Sequence, residues 1–197
     1  KYIEKIAKKR LRVIESKMEQ ENITNYFDIS KFYIRGLYKG FNQIIKSFSL
    51  VFLVRDPLLN MKSFHNRNKN FFLDNISPFE ECNLLRMHLN DLSKKELYLW
   101  AWAETFLRYK KLSHSKKVVK SVIFRTEDLK YNEKVESLLK YLGIQTRPIT
   151  KIKKINTNKS SGFPVTEIDK EDILLLERFI KKIPLDKIEL IEELKLS

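Results

Sequence analysis

Residues 49–67 of the chain are SLVFLVRDPLLNMKSFHNR, and this stretch decides the fold. Leu50 to Val54 is a continuous run of apolar and partly β-branched residues. Such a run is typical of a strand that is buried on both faces, as strands are in a parallel sheet. Arg55-Asp56-Pro57 ends the run, and proline suits the first turn of a following helix. The stretch therefore predicts a strand, a polar turn and a helix, in that order.

A second stretch, Val118 to Phe124, has the same buried-strand composition, and Asn25 to Ser30 could form a short strand. Helical periodicity surrounds these stretches. The helices are expected near 2–19, 36–46, 79–92, 95–112 and 132–142, and from about Leu58. Gly143 is placed to stop the helix before it, Asp169 can cap a helix that Pro184 breaks, and a last helix buries Ile188, Ile191 and Leu194. Strands that are separated by helices predict an α/β architecture with a parallel sheet. We expect one domain over residues 1–197, with further sequence before Lys1, because two or three strands are few for so many helices.

The charge balance points to an anionic partner or to a biased composition. The chain of 197 residues has 39 Lys and Arg against 25 Asp and Glu, a formal net charge of +14. Nucleic acid, an acidic membrane or a phosphorylated cofactor would suit this excess. The lysines are spread along the whole chain, however, and no block of five or six basic residues stands alone. We therefore attribute most of the charge to composition and expect an anionic ligand in one cleft.

Several classes of protein are excluded by what the sequence lacks. A single cysteine, Cys82, excludes an intrachain disulfide and Cys-based zinc cages. The three histidines show no ligand spacing, so we expect no metal site. No apolar run approaches the ~20 residues of a transmembrane helix, and no secretory signal opens the chain. We expect a cytoplasmic protein without a membrane segment in this chain; an anchor or signal before Lys1 stays open.

The candidate binding residues are Arg55 and Ser63. Arg55 ends the buried strand, at the carboxyl edge where open α/β sheets bind ligands, and Ser63 follows eight residues later on the predicted helix. A guanidinium offers a permanent charge and a planar fork for phosphate oxygens, and a hydroxyl adds a donor. The alternative is that Arg55 pairs with Asp56 or caps a helix while Ser63 lies on the surface. Spacing alone leaves both open.

Three segments, in this order, resemble the sulfotransferases that use 3′-phosphoadenosine 5′-phosphosulfate (PAPS). The strand followed by Arg-Asp-Pro, five residues and Ser63 is similar to the family's 3′-phosphate motif. Residues 102–112 (WAETFLRYKKL) and 124–144 (FRTEDLKYNEKVESLLKYLGI) are similar to its later helix and strand-turn-helix. The resemblance covers roughly residues 25–145.

The resemblance implies a fold, a reaction and a cofactor. The fold would be a three-layer, P-loop-NTPase-like parallel sheet flanked by helices. The reaction would move a sulfuryl group from PAPS to a hydroxyl or amine of a small-molecule or glycan acceptor, without a metal and without nucleic acid. Arg55 and Ser63 would hold the 3′-phosphate. The family's upstream strand-loop-helix for the 5′-phosphosulfate is missing, because no glycine here begins a Gly-Lys-Ser or Gly-Lys-Thr run; we expect it before Lys1, so the chain as given could be inactive.

The resemblance also implies a general base, which sulfuryl transfer to a hydroxyl needs. Family members place a His or a Glu on the strand before the Arg motif, and Asp28 falls at about that position. The alternative is an ordinary turn or N-cap carboxylate. Two positions depart from the family: Thr126 stands where cytosolic members often have Tyr, and Lys159 is the one cation where a basic phosphate loop is expected.

Two other functions remain open from the sequence. One is a basic binding module for nucleic acid or another anionic partner, without catalysis. It would need a cationic face with interleaved aromatics, and residues 64–72 come nearest. The other is a phosphoryl-transfer enzyme on a related sheet, which the lack of a Walker-type loop or of a Mg²⁺-binding carboxylate pair disfavours.

Overall fold

A computed structural model of the chain describes residues 2–29, 33–68, 78–145, 162 and 167–195. Within these ranges the chain forms two strands and seven α-helices. The elements, in chain order, are α1 (Tyr2–Gln20), α2 (Tyr38–Ile44), β1 (Phe48–Val54), α3 (Pro57–Asn66), α4 (Lys94–Ser113), β2 (Val118–Arg125), α5 (Asn132–Leu142), α6 (Lys170–Lys181) and α7 (Ile188–Lys195). A π-helical turn (Tyr33–Leu37) precedes α2, and 3₁₀ turns cover Leu89–Asp91, Thr126–Lys130 and Leu185–Lys187.

The two strands form a parallel sheet, as the sequence predicts, but the expectation that they are buried on both faces is wrong, because Leu53 of β1 and Val119 of β2 are exposed. Pairing runs from Phe48 opposite Val118 to Val54 opposite Arg125, with one irregularity after Phe48. The connection between the strands includes α3 and α4, which is the long crossover that parallel pairing requires. Among the described residues the sheet has these two strands alone. The α/β class is therefore confirmed, whereas two strands do not define a three-layer, P-loop-like arrangement, and that finer expectation stays a prediction.

The core is built around α4. Twelve residues of this helix are buried, and its apolar side chains contact β1, α3, α6 and α7. Trp100 and Trp102 are both buried, although they lie on different faces of the helix. A helix that is apolar nearly all round must be covered on all sides. Because of this central position, α4 contacts both the carboxyl end of the sheet and the segment before the helix, residues 79–92.

The helix expected over residues 79–92 is wrong. The described chain there is irregular, apart from the 3₁₀ turn at Leu89–Asp91. Polar groups of α4 take the place of intrahelical partners: Glu104 accepts hydrogen bonds from the Leu84 and Leu85 N–H groups, at 2.9 and 2.7 Å. The Trp100 indole donates to the Leu85 carbonyl, at 2.8 Å. Tertiary hydrogen bonds therefore override the local helical pattern.

The strand expected over residues 25–30 is also not found: residues 25–29 have no regular structure, and residue 30 lies outside the described ranges. Other local signals are confirmed. Asp169 caps α6 in a reciprocal capping box with Asp172. Gly143 ends α5 with a φ of +80°, a conformation that suits glycine. The expected loop over 151–162 lies outside the described residues, except for Gly162.

None of the described helices combines the length and the apolar character that crossing a membrane would require.

Candidate functional site

The carboxyl edge of the sheet carries two arginines, one on each strand. Arg55 directly follows Val54, and Arg125 is the residue that pairs with Val54 across the sheet. Arg125 donates to a Glu193 carboxylate oxygen of α7, at 3.2 Å, in a half-buried ion pair. Arg125 is therefore already neutralised by its own chain, whereas Arg55 has no such partner among the residues that the structure describes.

The backbone of Arg55 is held by α4, whereas its guanidinium has no hydrogen-bond partner within the described ranges. The Trp102 indole of α4 donates to the Arg55 carbonyl oxygen, at 2.8 Å, which fixes the point where the strand ends. In the described part of the chain, the guanidinium forms no hydrogen bond or ion pair. Burial lowers the pKa of Arg55, the Glu127 carboxylate raises it, and the nearby Arg67 lowers it. An arginine remains cationic at neutral pH despite such effects.

The Asp56 carboxylate is the N-cap of the helix that follows it. It accepts a hydrogen bond from the Leu59 N–H, at 2.8 Å, and so caps the N-terminus of α3. Burial raises the pKa of Asp56, and the backbone hydrogen bonds of the cap oppose that shift. The alternative in which Arg55 forms an ion pair with Asp56 is not what the structure shows.

Ser63 is buried, with 3% of its surface exposed, and it contacts a second arginine. Its hydroxyl oxygen accepts from an Arg67 Nη2 at 2.8 Å, and its carbonyl accepts from Arg67 Nε at 2.9 Å. The guanidinium also lies over the Phe64 ring, 5.6 Å from its centre. The alternative of a surface serine is therefore wrong.

Arg67 is the residue that the sequence analysis missed. Its charge is one of the causes that lower the pKa of Arg55, so the two guanidiniums act on each other electrostatically. The i,i+4 spacing from Ser63 to Arg67 on one helix face was the available signal. Two cations in proximity repel each other, and an anion that binds both removes that repulsion. The structure thus joins Arg55, Arg67 and Ser63 into one candidate anion site, with Ser63 positioning Arg67.

Glu127 lies at the same edge, in the 3₁₀ turn after β2. One carboxylate oxygen accepts from the Thr126 hydroxyl, at 3.1 Å. The other, Oε2, is buried and has no hydrogen-bond partner in the part of the chain that is described. The sequence alone indicates no binding role for this residue.

Asp28 is held by α1. Both of its carboxylate oxygens accept from Arg10 Nη2, at 3.0 and 2.7 Å, and the pair is partly exposed. No described contact links Asp28 to Arg55, Ser63 or Arg67. The structure therefore leaves its role as a base untested, and the strand that was expected to carry it is absent.

His65 lies two residues after Ser63 on α3 and is partly buried. Burial lowers its pKa, as do the charges of Lys95, Lys94 and Lys62. Within the ranges that the structure describes, no group of three or more His, Cys, Asp or Glu could hold a metal ion.

The chain was compared with protein-family models, with curated proteins and with solved structures, and no match was found in any of the three. The candidate site therefore rests on its own geometry.

Proposed function

We propose that the chain binds the 3′-phosphate of PAPS and belongs to an enzyme that transfers the sulfuryl group to an acceptor hydroxyl or amine. The observation that carries the proposal is the Arg55 guanidinium, which is half-buried at the carboxyl edge of a parallel sheet and forms no hydrogen bond or ion pair with the described residues. A phosphate between this guanidinium and that of Arg67 would accept charge-assisted hydrogen bonds from both. The Ser63 hydroxyl holds the second guanidinium in place.

In the proposed reaction the acceptor oxygen forms a bond to sulfur, while the bond from sulfur to the bridging phosphate oxygen breaks. The nucleotide 3′,5′-bisphosphate leaves with the electron pair, and the acceptor proton passes to a base. Asp28 is the proposed base, and it would have to exchange its contact with Arg10 for one with the acceptor. The three-layer sheet and a separate cradle for the 5′-phosphosulfate also belong to the proposal, and the acceptor would be a small molecule or a glycan.

The test is a calorimetric titration with 3′-phosphoadenosine 5′-phosphate and with ADP, which has the same number of phosphates at different positions. We expect the 3′-phosphorylated nucleotide to bind more tightly, because Arg55 and Arg67 suit a phosphate on the ribose side. Arg55→Ala should remove that preference, with at least a ~10-fold loss of affinity, the size of one lost charge-assisted contact of about 1.4 kcal/mol. Arg12→Ala, an exposed arginine on α1, is the matched control and should bind as the unaltered chain does.

Equal binding of the two nucleotides would overturn the proposal. Tighter binding of a short oligonucleotide than of either nucleotide, with the same loss in Arg12→Ala as in Arg55→Ala, would instead support a non-catalytic basic binding module.

A further inference from the structure

A buried carboxylate oxygen without a partner is the feature that the proposed function leaves unexplained. Glu127 Oε2 is shielded from solvent and receives no hydrogen bond from the described residues, while Oε1 accepts from Thr126. Buried polar atoms are nearly always hydrogen-bonded in folded proteins, because an unsatisfied one loses its interaction with water and gains nothing in return. An acceptor left open in this way is suited to a donor that arrives with a ligand.

The position of Glu127 decides which ligand that is. Val54 pairs with Arg125, so Arg55 and the residues after Arg125 leave the same edge of the sheet side by side. The Glu127 charge acts on both Arg55 and Asp56, and it is the largest influence that raises the pKa of Arg55. The open acceptor therefore lies at the same edge of the sheet as Arg55, in the turn after the strand that pairs with β1.

Arg55 and Glu127 favour different chemical groups on a ligand. Arg55 attracts a phosphate, whereas the Glu127 carboxylate repels a free anion and needs a donor. A ribose that carries a 3′-phosphate suits both residues, since the hydroxyl on the adjacent 2′-carbon lies within a few bonds of the phosphate. An inorganic anion such as pyrophosphate is attracted by Arg55 but repelled by the Glu127 carboxylate.

We propose that Glu127 Oε2 accepts a hydrogen bond from the 2′-hydroxyl of the nucleotide whose 3′-phosphate is bound by Arg55, and that Glu127 thereby selects a ribonucleoside 3′-phosphate over free anions and over 2′-deoxynucleotides. This inference rests on the proposed function, because it takes the phosphate at Arg55 as its reference point. It adds a binding residue and a sugar specificity to that site.

The experiment compares 3′-phosphoadenosine 5′-phosphate with its 2′-deoxy analogue by titration calorimetry. With the unaltered chain we expect the ribonucleotide to bind about 10-fold more tightly, as a hydrogen bond to a charged group implies. In Glu127→Ala the two nucleotides should bind equally, and inorganic pyrophosphate should bind no more weakly than before, because the repelling charge is gone. Glu133→Ala, an exposed glutamate at the start of α5, is the control and should keep the preference.

The outcomes separate this inference from the proposed function. If neither nucleotide binds better than ADP, the proposed function fails. If the ribonucleotide binds better than ADP but the 2′-deoxy analogue binds equally well, or if the preference persists in Glu127→Ala, the role of Glu127 is wrong while the phosphate site stands. The comparison of the two nucleotides uses the unaltered chain and needs no variant. If Glu127→Ala does not fold, equal binding of the two nucleotides to the unaltered chain would still refute the inference.

Discussion

At the scale of single residues, Ser63 acts on the candidate site through Arg67. Both oxygens of Ser63 accept from the Arg67 side chain, and the Phe64 ring lies under the guanidinium. These three contacts come from one helix, so they fix the direction of Arg67 without help from other elements. The serine of the motif is thus a positioning residue for a second cation in the ligand-free chain.

Ser63→Ala tests this role. Loss of the hydroxyl removes one hydrogen bond to a charged group, so we expect the free energy of unfolding to fall by about 1 kcal/mol or somewhat more. We also expect weaker binding of the 3′-phosphorylated nucleotide. The measurement is a double-mutant cycle with Arg67→Ala on nucleotide affinity. The combined variant should bind about as weakly as Arg67→Ala alone, since Ser63 acts through Arg67; strictly additive losses would mean that Ser63 contacts the phosphate independently.

At the scale of elements, α4 organises the segment that precedes it. The buried Glu104 accepts from two backbone N–H groups of that segment and from Arg108 Nε, at 2.5 Å. Arg108 in turn donates to the Asn83 side chain, at 2.7 Å. A charge pair buried to this extent is stable only when its remaining hydrogen-bonding groups are satisfied, as they are here. The irregular path of residues 83–85 is therefore held by three side chains of α4, Glu104, Arg108 and Trp100.

Glu104→Gln should destabilise the fold strongly. The amide keeps one acceptor oxygen but leaves Arg108 without its counter-charge, and removal of one member of a buried pair costs about 3–5 kcal/mol. Urea unfolding followed by far-ultraviolet circular dichroism measures the loss. Glu177→Gln, an exposed position on α6, is the matched control and should change stability by less than about 0.5 kcal/mol. A Glu104→Gln chain as stable as this control would show that the network does not hold the segment.

At the scale of the whole molecule, three helices meet at one group of charges. Asp172 of α6 is fully buried and accepts from Lys62 of α3 and from Lys95 of α4, the latter at 2.9 Å. Burial alone would raise the pKa of Asp172, but the hydrogen bonds from the two lysines outweigh it and hold the pKa below its usual value. Asp169 also accepts from Lys62, at 2.6 Å, and this contact lowers the pKa of Asp169 to about 2.

These lowered pKa values predict how the free energy of unfolding changes with pH under acidic conditions. A carboxylate whose pKa in the folded state lies below the unfolded value of about 3.9 stabilises the fold above that pH, and the contribution disappears as the pH falls through the folded value. For Asp169 that window runs from about pH 4 down to about pH 2. Urea unfolding at several pH values between these limits should show a smaller loss of stability in Asp169→Asn than in the unaltered chain.

The matched control for this profile is Glu171→Gln, an exposed carboxylate in the first turn of the same helix. Its acid profile should follow that of the unaltered chain more closely than Asp169→Asn does. If Asp169→Asn and the unaltered chain lose the same stability over the window, the contact between α3 and α6 does not contribute to acid resistance.

Much of the fold could be predicted from local sequence. The apolar runs of β1 and β2, the proline at the start of α3, the Asp169 cap and the Gly143 stop are each signals within a few residues. Each of these predictions is confirmed, because the predicted element satisfies the hydrogen-bonding groups of its own backbone. The segments over 25–29 and 79–88 were mispredicted, the second because its backbone partners belong to α4, which local periodicity does not reveal.

The candidate site, like the fold, could be predicted only in part from the sequence. That Arg55 ends an apolar strand and that Ser63 follows on the next helix could be predicted from the sequence alone, because strand and helix periods are local properties of the chain. The pairing of these charges became visible only in the tertiary contacts: among the described residues Arg55 forms no hydrogen bond or ion pair, the Arg67 charge acts on it, and Glu127 Oε2 is a buried acceptor at the same edge. Pairing and burial of charges depend on strand register and helix packing, which bring together groups that are far apart in sequence, as Lys62 and Asp172 are.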